Sequence, residues 1–184
     1  MTPFGQFTTK AKEAIRKAHE LAIERGQNHV NPLHLLTALI LQEESIVSSI
    51  LDKLDVDTIL LTDSLLEGIE GTEAGQTLSA SYQIYLTPEL AQAIEASGKQ
   101  TALLNDEFVS TEHLFLALIE VPSGAKDLLA KFKIDKDSVL RVIEEIRSVS
   151  SKLRRIGNEE AHKFTLIGQP FGTADGELTG LEYC

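Results

Sequence analysis

Asn31-Pro32-Leu33-His34-Leu35-Leu36-Thr37-Ala38-Leu39-Ile40 and Ser110-Thr111-Glu112-His113-Leu114-Phe115-Leu116-Ala117-Leu118-Ile119 are the two stretches whose reading decides the fold. They lie 79 positions apart and carry His-Leu and Ala-Leu-Ile at matching places. The same offset sets Thr8 on Thr87, Ala14-Ile15 on Ala93-Ile94 and Val30 on Val109, so the register holds without a gap from Thr8 to Ile40. Beyond that it slips by one residue: Ile50-Leu51-Asp52-Lys53-Leu54 resembles Leu128-Leu129-Ala130-Lys131-Phe132, and Val56-Asp57 resembles Ile134-Asp135. A fixed period of this length marks tandem supersecondary units, here two copies of roughly 75 residues each.

Within each copy the apolar spacing predicts four helices. Ala11, Ala14, Ile15, Ala18 and Ala22 recur at steps of three and four, which places a first helix from about Thr9 to Arg25, stopped by Gly26. Asn31 and Pro32 form a cap and first-turn pair for a second helix ending near Gln42, with Leu35, Leu36, Leu39 and Ile40 turned inward. A short third helix is expected over Ser45 to Leu54, and a fourth, carrying Ile59, Leu65, Leu66 and Ile69, ends before Gly71. The second copy repeats this from Pro88 to about Leu153. The resulting expectation is an all-α, eight-helix bundle of two four-helix repeats: residues 1–70, a Gly/Thr/Ser-rich connecting loop 71–84, and residues 85–153. The tail 154–184 sustains no periodicity from Gly157 onward and is expected to be partly disordered.

Composition narrows the function. A formal net charge of −11 repels a phosphate backbone, and the small basic group Lys152, Arg154 and Arg155 does not reverse that, so nucleic acid is not an expected partner. The longest apolar run, Leu35 to Leu41, is interrupted by Thr37 and falls far short of the roughly 20 residues that span a bilayer, so no membrane partner is expected either. The amino terminus lacks a secretory pattern, and the lone cysteine, Cys184, has no internal partner; a reducing, cytoplasmic setting fits.

There is no GxxxxGK[ST] phosphate loop, no HExxH, and no spacing of His with carboxylate or thiolate that suits a metal. Neither metal nor cofactor is expected. His34 and His113 hold equivalent places just inside a helix, which suits a shared structural hydrogen bond. Thr8 and Thr87 each precede a first helix and suit N-caps. Glu112 sits in a helix's first turn, where the dipole favours a carboxylate, but Leu33 holds the equivalent place. That one-sidedness favours a ligand role for Glu112. Asp106 and Glu107 lie in the loop before the same helix, and a pseudo-symmetric packing of the copies would gather Thr8, Asp106 and Glu112 around one groove. A hydrolase built on Asp106, Glu112 and His113 has no evident nucleophile or oxyanion donors, so a non-enzymatic role is expected.

Phe4-Gly5-Gln6-Phe7-Thr8 followed by Ala11 and Ala14-Ile15, with Pro32-Leu33-His34-Leu35-Leu36 and Ser110-Thr111-Glu112-His113-Leu114, resembles the amino-terminal domain of the ClpB and ClpC ATPases over about Phe4 to Ser150. The resemblance implies a pseudo-twofold eight-helix domain tethered to an ATPase ring, receiving unfolded or tagged protein substrates and adaptor proteins and hydrolysing nothing itself. The alternative is a free-standing accessory subunit that docks on a Clp protease or its ATPase. Similarity to ClpB implies chaperone roles for Thr8, Asp106 and Glu112. Similarity to ClpC implies phosphoarginine recognition by a helix-opening threonine and glutamate; Thr87 and Glu112 keep that pair, whereas Leu33 replaces the first copy's glutamate, leaving at most one such site. Because ring assembly in this family rests on the ATPase modules, the domain alone is expected to be a monomer.

Overall fold

A computed structural model describes residues 6–72 and 84–167. Most of the expected connecting loop and the tail from Gly168 on lie outside the described residues, as do Phe4 and Gly5. Among the described residues there are eight helices: α1 (Thr9–Glu24), α2 (Pro32–Leu41), α3 (Ile46–Lys53), α4 (Thr58–Thr72), α5 (Pro88–Leu104), α6 (Thr111–Glu120), α7 (Gly124–Lys131) and α8 (Lys136–Ile167). The chain divides into two units, residues 1–143 and 144–184.

The first unit is organised by α2 and α6. Each is apolar on nearly every side, and a helix of that kind must be enclosed by others. From His34 to Ile40 and from Thr111 to Ile119 every residue is buried. Small residues on α1 (Ala11, Ala14, Ala18, Ala22) and on α5 (Ala93, Ser97) are buried as those helices pack closely on α2 and α6 respectively. Leu61, Leu65 and Ile69 of α4 are fully buried, and α4 closes over α2. The copies also interlock: α2 packs on α6 and α7, and α6 packs on α2 and α3, so each second helix meets the second and third helices of the other copy.

The residues preceding the helices confirm the twofold relation. Two short strands, β1 (His29–Val30) and β2 (Tyr85–Leu86), pair in parallel, with Val30 opposite Leu86. Phe7 forms a parallel bridge with Val109. The 79-residue offset takes Phe7 to Leu86 and Val30 to Val109, so these are the same contact made twice. The amide of Thr8 donates to the carbonyl of Val109 at 2.9 Å, and that of Thr87 to the carbonyl of Val30 at 3.0 Å. Each copy therefore lays the strand before its first helix on the strand before the other copy's second helix. Strands of two residues are too short for any alternation to show in the sequence.

Helix ends repeat as well. Gly26 (φ 67°) and Asn105 (φ 56°), 79 apart, end α1 and α5 in the left-handed conformation, and Asp55 (φ 62°) and Lys133 (φ 61°), 78 apart, follow α3 and α7 in the same way. Glycine, and then asparagine, reach that region with least steric cost.

One expectation is corrected. The second copy was expected to end at about Leu153, with no fold assigned from Gly157; α8 instead continues to Ile167. Its residues up to Ile143, with Val139, Val142 and Ile143 buried, belong to the first unit. Ile146, Val149, Leu153 and Ile156 carry the helical spacing as far as Gly157, and no apolar period is sustained beyond it, which is why the pattern missed the last turns. Adding residues to an existing helix avoids the costly nucleation step, and one Gly is tolerated at about 1 kcal/mol. No single helix among the described residues is long and apolar enough to cross a membrane.

Candidate functional site

Three of the four residues singled out in the sequence open a helix, and the fourth lies in the loop before one. Thr8 is the N-cap of α1, its Oγ1 accepting from the amide of Ala11 at 3.1 Å; Thr87 caps α5 in the same way, accepting from Leu90 at 3.2 Å. Glu112 stands in the first turn of α6 and Asp106 in the loop that enters it.

Around the start of α6 a chain of polar contacts holds the two carboxylates in place. The amide of Ser110 donates to His113 Nδ1 at 2.8 Å, which fixes the ring proton on Nε2, and Nε2 donates to Asp106 Oδ2 at 2.8 Å. Ser110 Oγ donates to Glu112 Oε1 at 2.5 Å. His113 is buried, Glu112 is 8% exposed, and Asp106 keeps 24% of its side chain in solvent. Asp106 is thus the carboxylate within easier reach of a partner. Leu103, in the last turn of α5, and Phe108, on the loop, flank it in sequence and are each about half exposed. The Thr8–Val109 bond brings the start of α1 to this loop.

The first copy builds the same cap with neutral groups. The amide of Asn31 donates to His34 Nδ1 at 3.0 Å, and His34 Nε2 donates to Gln27 Oε1 at 2.7 Å. Gln27 Nε2 in turn donates to the carbonyl of Ile69 at 2.9 Å, tying α4 to the loop. Gln27 and Asp106 are 79 apart. Neither Gln27 nor Ser110 stood out as a partner in the sequence; the repeat register points to Gln27, since whatever holds one histidine has its counterpart holding the other. Burial, with the charge of Arg25 added, lowers the His34 pKa from 6.5 to about 4, so this ring is neutral at ordinary pH.

Asp106, His113 and Ser110 lie in a line that superficially matches a nucleophile triad. Ser110 Oγ lies 2.9 Å from His113 Nδ1, but that nitrogen already accepts from the Ser110 backbone amide, and the hydroxyl donates to the Glu112 carboxylate, which only accepts. The first copy makes the same cap with Asn31, which has no nucleophile. The arrangement is a helix-start brace that also positions carboxylates. Among the described residues no group of His, Cys, Asp and Glu is arranged to hold a metal.

The structure brings Thr8, Asp106, Ser110 and Glu112 to one helix entrance and places Thr87 at the other, bonded to Val30 three residues before Leu33. The threonine bonded to the residue just before α6, the helix that carries Glu112, is Thr8 of the other copy, through the carbonyl of Val109. Leu33 is half-buried and approaches Gly68 closely: a Cβ on Gly68 would sit 3.2 Å from Leu33 Cδ1.

Two four-helix repeats clasped through their helix-opening strands, with a polar brace at each entrance, define a duplicated helical repeat module. The chain belongs to the Clp repeat (R) N-terminal domain family, whose model matches residues 6–132. It is 30% identical over 155 residues to the chaperone protein ClpB of Bacillus anthracis and 31% identical over 149 residues to that of Bacillus cereus, each match covering 78% of this chain. The chain spans 17% of the length of those relatives. Among solved structures, the Hsp104 N-terminal domain from Candida albicans superposes with a TM-score of 0.66 at 20% identity, covering 77% of this chain and 91% of that one. A ClpV N-domain in complex with a VipB peptide does so at 0.57 and 20% identity, covering 71% and 81%. At such identities these structures speak for the fold alone.

Proposed function

We propose that this chain is a polypeptide-receiving module of a Clp-type unfoldase or disaggregase, taking up unfolded or tagged proteins, directly or through adaptor proteins, at the entrance of α6, and delivering them to an ATPase ring. It acts by binding, without catalysis of its own, as a cytoplasmic monomer when separate from that ring. The observation that carries the reading is the brace at Ser110 and His113, which holds Asp106 and Glu112 at a helix start beside Thr8 and next to the exposed Leu103 and Phe108. Carboxylates fixed by hydrogen bonds lose little freedom on meeting a cationic or amide-rich segment, and the neighbouring apolar groups supply area without charge matching. The ClpV N-domain structure with its VipB peptide is a precedent for peptide capture on this fold.

A phosphoarginine tag is the competing ligand. A carboxylate can hold its guanidinium through two hydrogen bonds while helix-start amides take the phosphate. Here Glu112 is nearly buried and already accepts from Ser110, and the net charge opposes phosphate, so unmodified, unfolded segments are the preferred clients. The test is a titration of the chain, Asp106→Asn and Glu112→Ala with an unfolded model protein, a phosphoarginine peptide and its unmodified twin. Binding of the unfolded protein that weakens several-fold in Asp106→Asn supports the proposal. Selective binding of the phosphoarginine peptide, lost in Glu112→Ala, would replace it with tag recognition. The alternative role, a free-standing subunit docking on a Clp protease or its ATPase, predicts tight binding to the assembled partner and none to unfolded protein.

A further inference from the structure

The two copies differ most where α2 and α6 end. In the second copy Glu120 occupies this place: its Oε2 accepts from Lys136 Nζ at 3.1 Å, its Oε1 from Gln100 Nε2 at 2.5 Å, and its carbonyl from Lys126 Nζ at 3.4 Å. The repeat register sets Leu41 on Glu120, Ser48 on Lys126 and Thr58 on Lys136, so the first copy has none of these charged groups. What it has is an open groove of about 400 Å³ between α2, α3 and α4, lined by Ile40, Leu41 and Ile59 with the carboxylates of Asp52 and Asp63. Ile59 is 76% exposed and Leu41 51%. Among the described residues neither aspartate takes part in an ion pair. Across Leu41 a neighbouring pocket holds Arg16 and Lys17, both engaged by Glu20.

We infer that this groove is a second docking surface, separate from the α6 entrance, for a polypeptide segment that presents an apolar side chain flanked by lysine or arginine. The apolar floor takes the anchor, and Asp52 and Asp63, with no cation of their own, meet the flanking positive charge. In the second copy the Glu120 contacts with Gln100, Lys126 and Lys136 take the equivalent place.

The test uses a fluorescein-labelled peptide of alternating Leu-Leu and Lys-Lys pairs, a twin with Glu for Lys, and a twin with Ser for Leu. Anisotropy titrations are run on the chain, Ile59→Glu and Asp63→Lys, both exposed substitutions whose folding is checked by thermal unfolding. The Leu/Lys peptide is expected to bind, more weakly at high salt, and both twins about tenfold or more weaker. Each variant is expected to lose about tenfold in affinity for the Leu/Lys peptide, with amide shifts around residues 40–41 and 59–63. Equal binding of the Glu twin, parental affinity in both variants, or shifts confined to residues 103–113 would overturn the inference; the last would assign the peptide to the α6 entrance and leave that reading intact.

Discussion

At the residue scale the sharpest contrast is between two histidines in one backbone setting with different partners. His34 is bonded to an amide oxygen and His113 to a carboxylate. Since His34 titrates near 4 in the folded chain and near 6.5 when unfolded, only the unfolded state takes up this proton between those values. Stability is therefore present above pH 6.5 and is lost as the pH falls toward 4, by up to about 3 kcal/mol from this residue. NMR titration should show no protonation of His34 above about pH 5; a midpoint near 6.5 would contradict the buried neutral cap. Gln27→Asp gives the first copy the second copy's partner and is expected to raise the His34 pKa, read in the same titration. Gln27→Ala leaves His34 Nε2 and the Ile69 carbonyl without their bonds, with an expected loss of about 2–3 kcal/mol in urea unfolding. The sequence made the shared histidine cap legible because both copies carry it at one offset. It did not disclose that Ser110 turns its hydroxyl to Glu112, because that depends on a rotamer and not on spacing.

At the scale of elements, the periodic patterns placed all eight helices, with ends within a few residues except at α8. The reason is that seven of the eight helices open on a side chain that accepts from a first-turn amide, Asp57 and Asp135 doing so for α4 and α8, and α1 and α5 stop at residues suited to left-handed backbone. Thr8→Ala and Thr87→Ala should each cost about 1 kcal/mol through the lost cap, measured by urea unfolding. If Thr8 also serves ligand binding, only Thr8→Ala will weaken capture of unfolded protein beyond what that stability loss explains. The end of α8 was hidden because helix propagation there has no apolar stripe to report it. Gly157 has open space where a Cβ would go, so Gly157→Ala is expected to strengthen the helix locally by about 1 kcal/mol. Slower amide exchange over residues 150–160 would register it; unchanged exchange would argue against a helix there.

At the scale of the whole molecule, duplication makes one core and two unlike surfaces. Because α2 and α6 pack on one another and each strand before a first helix lies on the other copy, neither copy encloses its own apolar helix. Residues 1–143 should consequently unfold in a single transition by circular dichroism and by fluorescence of a probe in either copy; two separated transitions would mean the copies are independent. The repeat pattern pointed to the twofold organisation and to a gathering of Thr8 with Asp106 and Glu112, but not to the means, the short parallel pairing that bonds Thr8 to Val109 and Thr87 to Val30. It is this pairing that assembles Thr8, Asp106 and Glu112 at one entrance and leaves Thr87 beside Leu33 at the other. The most direct measurement is the change in amide NMR shifts of the chain when an unfolded model protein is added. The account predicts changes concentrated at residues 6–8 and 103–113, lost in Asp106→Asn; changes confined to the Thr87 and Leu33 entrance, or none at saturating protein, would contradict it.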